Sequence, residues 1–118
     1  MKIMTREFIH TLVFDKCWEE LNLNDDNLSE LQNFILLNPL KGDVIIGTGG
    51  LRKLRWNFPN RGKRGGIRVL YVDFIYHEKV ILIDCYSKKE KDDISSKEKI
   101  LYKELIKQIE EELYNECT

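Results

Sequence analysis

The chain has 118 residues, 42% hydrophobic and 33% charged, a length and composition that suit one globular domain spanning 1–118 and exclude a disordered chain. Cys17, Cys85 and Cys117 are widely spaced and form no CxxC pair, and His10 and His77 are the only histidines, which argues against a disulfide framework or a structural zinc site and fits a reducing compartment. The formal net charge of −1 excludes a uniformly basic or acidic chain, but it conceals a strong segregation of charge along the sequence.

Met1–Thr5 is followed by Arg6, Glu7 and His10 rather than by an apolar run, so no signal peptide is expected. The apolar runs are too short to span a bilayer, and a cytoplasmic location with no membrane partner follows. Glu7–Phe14 is rich in aromatic and β-branched residues and reads as a first strand. Asp15 then suits the N-cap of a short helix through Trp18 and Leu21. A second helix begins at Asp25 or Asp26, with Leu28, Leu31, Phe34 and Ile35 at helical spacing. Pro39 makes Asn38 its end.

Gly47-Thr48-Gly49-Gly50 is a flexible break. After it Leu51–Phe58 alternates, with Lys53 and Arg55 on one face and Leu54 and Trp56 on the other. The loop Asn60–Gly66 is short enough to join antiparallel neighbours. Ile67–Phe74 and Val80–Tyr86 are apolar at nearly every position, so they read as central strands covered by helices on at least one face. Ser95-Ser96-Lys97-Glu98 fits a capping box, and beyond it Leu101, Leu105, Ile109 and Leu113 stack on one helical face, with Tyr102 and Ile106 beside them. The expected fold is therefore α+β, a small mainly antiparallel sheet with helices packed on it, in the order β-α-α-β-β-β-α.

Two glycine-rich segments invite a phosphate loop and fail. Gly62-Lys63 is followed by Arg64 instead of Ser or Thr, which excludes a Walker A loop, and Gly47–Gly50 lacks the strand-to-helix context of a dinucleotide fingerprint. No cofactor and no metal are expected. Cys85 reads as a small core residue, and His10 and His77 have bland roles in a strand and a turn. Asp84, within an apolar strand, needs a buried partner.

The basic segment carries the functional signal. Gly47–Val72 contains no Asp or Glu but holds Arg52, Lys53, Arg55, Arg61, Lys63, Arg64 and Arg68, seven of the chain's 19 Lys and Arg residues. The remainder keeps twelve cations against all 20 acids, a balance of −8. Glycines bracket the loop, letting backbone approach a ligand closely. Arginine outnumbers lysine five to two, and the guanidinium fork matches phosphate oxygens. Trp56, Phe58, Tyr71 and Tyr86 offer faces on which unpaired bases can stack. Nucleic acid or another phosphate is the implied ligand.

Three blocks carry a more specific signal. They are Gly47–Trp56 (GTGGLRKLRW), Gly62–Tyr71 (GKRGGIRVLY) and Tyr86–Glu90 (YSKKE). In this order they resemble the RelE/ParE superfamily, and within it the HigB-like branch of RelE-type toxins, over most of the chain. The resemblance implies the toxin of a type II toxin–antitoxin pair, a ribosome-dependent mRNA endoribonuclease with a basic, metal-free site. In that chemistry a 2′-hydroxyl attacks the adjacent phosphate and the 5′-oxygen leaves, and fixed cations stabilise the charge that builds on the phosphate. Carried over by position, Lys53 and Arg55 are the paired cations of the second strand. Arg68 contacts the scissile phosphate, and Lys88 or Lys89 serves as leaving-group acid. Arg61, Lys63 and Arg64 grip the RNA backbone, with Arg64 the best additional catalytic candidate, and Arg52, Lys89 and Tyr86 complete the RNA-binding set. Many RelE toxins carry a tyrosine shortly after the last strand's basic pair. Lys91–Ser96 has none, so the base role passes to Tyr86 or to a lysine. A cognate antitoxin, often a helix-turn-helix protein, is the implied partner, covering the basic site with acidic residues or blocking access to the ribosome. Two readings of other classes stay open, a ParE-like gyrase inhibitor and a non-catalytic RNA-binding module.

Overall fold

A computed structural model describes residues 5–57, 66–88, 90 and 93–116. Along them the chain runs β1 (Glu7–His10), α1 (Leu12–Glu20), α2 (Asp25–Leu37), β2 (Asp43–Val44), β3 (Arg52–Trp56), β4 (Ile67–Phe74), a 3₁₀ turn (Ile75–His77), β5 (Lys79–Ser87) and α3 (Ser96–Glu116). The strands form one sheet in the order β1-β5-β4-β3-β2, with β1 parallel to β5 and every other pair antiparallel. This is the expected α+β arrangement with one element added. β2 has two residues, too few for an alternating pattern to register in sequence.

The first boundary moves. Glu7–Phe14 was expected to be all strand, but β1 stops at His10 and Thr11 caps α1. Its hydroxyl accepts from the Phe14 amide at 3.0 Å and donates to the Ile83 carbonyl at 2.6 Å. Thr11 thus satisfies an orphan donor of the helix and ties that helix to β5, which Asp15, already inside α1, does not do. α2 is capped by Asn24 through a reciprocal pair with Asn27 and ends at Asn38. The Ser95–Glu98 capping box forms as read, Ser95 amide to Glu98 Oε1 at 3.0 Å and Glu98 amide to Ser95 Oγ at 3.1 Å.

Alternation sorts the strands into two apolar faces. One buries Leu54, Ile67, Val69, Tyr71, Val80, Leu82 and Cys85 against Phe14, Trp18, Leu31 and Ile35 of α1 and α2. The other buries Leu51, Leu70, Val72, Phe74, Ile81, Ile83 and Tyr86 against Ile94 and the Ile106 and Leu113 side chains of α3. Burial on both faces explains why β4 and β5 are apolar nearly throughout. Leu101, expected in the α3 stripe, is 66% exposed. A four-residue spacing overruns the helical turn by about 40° per step, so Leu101, Leu105, Ile109 and Leu113 cannot all face the sheet. The stripe that does runs through Tyr102, Leu105, Ile106, Ile109 and Leu113.

Asp84 finds the partner its position requires. The β4–β5 register shifts between Leu70 and Tyr71, giving β5 one extra residue, and such a bulge re-aims side chains. Asp84 accepts from Tyr102 of α3 at 2.8 Å and from the Cys85 amide at 2.8 Å. Burial, then Asp84, raises the Tyr102 phenol above its ordinary value, so the hydroxyl is the proton donor of this contact. Cys85 is 2% exposed, and burial pushes its thiol up as well, as expected of an inert core cysteine.

Tyr71 has a structural role instead of the base-stacking role its sequence position suggested. It is fully buried; its hydroxyl donates to the Pro39 carbonyl at 2.8 Å and accepts from the Gly42 amide at 3.1 Å. A Cβ on Gly42 would lie 2.9 Å from the Tyr71 ring, so only glycine permits this approach. The same segment presents the Gly42 and Leu40 carbonyls to the Arg52 guanidinium at 2.7 and 3.3 Å. Tyr71→Phe strands a buried amide, and we expect a loss of about 1–3 kcal/mol in urea unfolding. A loss under about 0.5 kcal/mol would show that this hydroxyl does not hold the segment.

Candidate nucleic-acid interface

β3 and β4 are antiparallel neighbours, and their register sets Arg55 directly opposite Arg68. On the other side of Arg68 the register places Tyr86 of β5. These three form one row across the sheet, on the face that α3 covers elsewhere. The adjacent row is Lys53, Leu70 and Asp84. Alternation with a period of two is what brings Lys53 and Arg55 to one face. Side chains opposed this way have Cβ atoms about 4.5–5.5 Å apart, and like charges so placed destabilise a sheet. Arg55 is exposed and relieves part of this in solvent.

Arg68 cannot do so. Only 9% of it is exposed. Its Nη1 reaches the Ile67 carbonyl at 3.4 Å, while its buried Nε has no hydrogen-bond partner among the described residues. Guanidinium carries five N–H donors and no acceptor, and a buried cation lacking a counter-ion is costly. Beside it the Tyr86 phenol is 3% exposed. Burial raises it above its ordinary value, Asp93 reinforces the shift, and Arg68 opposes it. The Tyr86 hydroxyl is therefore held in its protonated form.

The remaining predicted residues divide. Lys53 is on the same face, its ammonium 3.5 Å from Asp93 Oδ1. Lys88 follows the end of β5; its amide donates to the Gly66 carbonyl at 3.3 Å, extending the ladder past the Arg68 row, and its side chain is exposed. The structure does not bring Arg52 to this group. It pairs with Tyr71 in register, faces α1 and α2, and is engaged by the Gly42 carbonyl. Arg61, Lys63, Arg64 and Lys89, together with Phe58, lie outside the described residues. Trp56 also turns away from the cations and packs on Phe34, ring centroids 4.8 Å apart.

Sequence reasoning missed Asp93. The amide of Ile94, and then the Lys53 ammonium, hold its carboxyl below the usual carboxylate range against a desolvation penalty. Nothing local announces this contact, which joins residues forty apart in the chain. Among the described residues no group of three or more His, Cys, Asp or Glu is placed to hold a metal ion, and no helix is long and apolar enough to cross a membrane.

Cations of β3 and β4 thus gather around a buried guanidinium whose Nε has no partner among the described residues, on an α+β fold of RelE-like topology with the order β-α-α-β-β-β-β-α. The family model described as the RelE toxin of the RelE/RelB toxin–antitoxin system matches residues 6–116, and the chain belongs to that family. Among solved structures it is similar to the E. coli toxin RelE, in a double arginine-to-alanine mutant in the free state. That similarity has a TM-score of 0.51 and 15% identity, covering 75% of this chain and 90% of the other. At that identity the likeness is one of fold.

An unpaired buried cation lowers stability until an anion meets it. We expect Arg68→Met to be neutral or to stabilise the chain by about 1–2 kcal/mol in low-salt urea unfolding. Inorganic phosphate should raise the midpoint of the wild type and not that of the variant. Equal responses of the two proteins to phosphate would contradict an anion site at Arg68.

Proposed function

We propose that this chain is the toxin of a type II toxin–antitoxin pair, of the HigB-like branch, and that it cleaves mRNA on the ribosome without a metal. The observation that carries the proposal is Arg68, a buried guanidinium between Arg55 and Tyr86 whose Nε has no hydrogen-bond partner among the described residues. Membership in a toxin family supplies the biological class. Together they favour a site built to receive a phosphodiester over a surface that is merely charged.

The reaction assigned to this corner is an internal transfer. The 2′-hydroxyl gives its proton to a lysine of the basic cluster acting as base, the 2′-oxygen bonds to the adjacent phosphorus, the bond to the 5′-oxygen breaks as that oxygen takes up a proton, and the products carry a 2′,3′-cyclic phosphate and a 5′-hydroxyl. Charge on the non-bridging oxygens peaks in the transition state. Arg68 and Arg55 approach from neighbouring strands and stabilise it more than the ground state. Arg68 needs little rearrangement to act, because β4 and the apolar face around Leu70 and Tyr86 already hold its stem. Lys53 adds a third cation from β3. Lys88, exposed just past the end of β5, is assigned to give a proton to the departing oxygen. Arg61, Lys63, Arg64 and Lys89 are assigned to the RNA backbone. The chain acts as a single toxin domain in the cytoplasm, with a helix-turn-helix antitoxin as its partner.

Arg68→Ala should lower ribosome-dependent cleavage by roughly 10²–10³-fold, the scale of losing one preorganised transition-state donor. It should relieve growth arrest with the circular dichroism spectrum unchanged. Primer extension on transcripts from expressing cells reads the cuts directly. A fully toxic Arg68→Ala variant would contradict the assignment. Intact transcripts alongside DNA damage would point instead to gyrase, and salt-dependent RNA binding without cleavage to a non-catalytic module.

A further inference from the structure

Lys53 has a long flexible stem, yet its side chain is only 15% exposed, whereas Asp93 is 65% exposed. An ion pair with one partner so open to solvent ordinarily has little effect. This one is fixed from behind. Asp93 Oδ1, which faces the Lys53 ammonium at 3.5 Å, also accepts from the Ile94 amide at 2.8 Å. Ile94 is 5% exposed and belongs to the core under α3. Directly after it Ser95 and Glu98 close the capping box of that helix. The carboxylate is thus carried on a short, anchored segment whose position α3 dictates. It is the acid that meets the cation cluster from the α3 side through a direct contact among the described residues.

We infer that Asp93 is a positioning residue, tethering the Lys53 ammonium so that it points along the Arg55–Arg68 row. This rests on the nuclease reading and adds to it a residue that acts only through Lys53. Two consequences separate this role from others. An acid at the rim of a polyanion site repels RNA, so removing its charge should strengthen binding or leave it unchanged. Releasing Lys53 should nonetheless slow the chemical step, because a lysine that is no longer aimed has lost its preorganisation.

The test compares wild type, Asp93→Asn, Lys53→Met and the double variant in single-turnover cleavage of ribosome-bound mRNA, with RNA affinity measured alongside. Expected is an approximately tenfold slower cleavage in Asp93→Asn, RNA affinity equal or higher, and no further loss when Asp93→Asn is added to Lys53→Met. Asp93→Glu should recover part of the rate. Unchanged or faster cleavage in Asp93→Asn, or an equal loss in both backgrounds, would overturn the tether. A second readout does not need cleavage. Acetylation of Lys53 by an amine-reactive reagent, followed by mass spectrometry with Lys103 as internal reference, should be several-fold faster in Asp93→Asn. Equal reactivity overturns the tether as well. A wild type that never cuts RNA would refute the nuclease reading, while the acetylation result still decides the role of Asp93.

Discussion

The constraint on which the candidate site depends is the register that sets Arg55 against Arg68. Antiparallel pairing of β3 with β4 leaves no freedom here; a slip of β3 by one residue would turn Arg55 to the α1 and α2 face and away from Arg68. Two cations opposed across a sheet, one of them buried, oppose folding. The two apolar layers around them favour it, with Leu54, Val69 and Leu82 on one side and Leu70, Ile83 and Ile106 on the other. Each such buried side chain contributes about 1.5–3 kcal/mol, so the core outweighs a local electrostatic cost of a few kcal/mol.

The rest of the architecture holds this corner in place. Tyr71 and Gly42 lock the segment before β3, and Arg52 is engaged by the same segment. Tyr102 joins α3 to Asp84 at the β5 bulge, two residues before Tyr86. Ile94 anchors the approach to α3 and with it Asp93. Residues that look alike in sequence therefore divide by face. Arg52 and Trp56 turn toward α1 and α2, while Lys53 and Arg55 turn to the face that α3 covers elsewhere.

Much of this was legible beforehand because it rests on short-range patterning. The period-two alternation around Lys53 and Arg55, the unbroken apolar run of β4 and the Ser95–Glu98 capping box all follow from neighbours in the chain. What was not legible depends on tertiary contact. β2 is two residues long, and Thr11 competes with Asp15 for the cap only because Ile83 offers it a carbonyl. Tyr71 passed for a stacking face because nothing local reveals that Gly42 and Pro39 enclose its hydroxyl. Asp93 lies outside the acid-free stretch that drew attention to the basic site, and α3 packing returns it there. The roles proposed for Lys53, Arg55 and Arg68 rest on a family resemblance; alternation brings Lys53 and Arg55 to one face, and the β3–β4 register adds Arg68 to it.

The central proposal is that the Arg68 guanidinium receives a phosphate of the RNA. It is tested most directly by following the Nε–H resonance of Arg68 by NMR while adding a short RNA with a 2′-deoxy substitution at its central linkage, which blocks cleavage. The account predicts a saturable shift of the Arg68 signal with slowed solvent exchange, and a concurrent shift of Arg55. A silent Arg68 signal during a titration that moves only exposed lysines would contradict it.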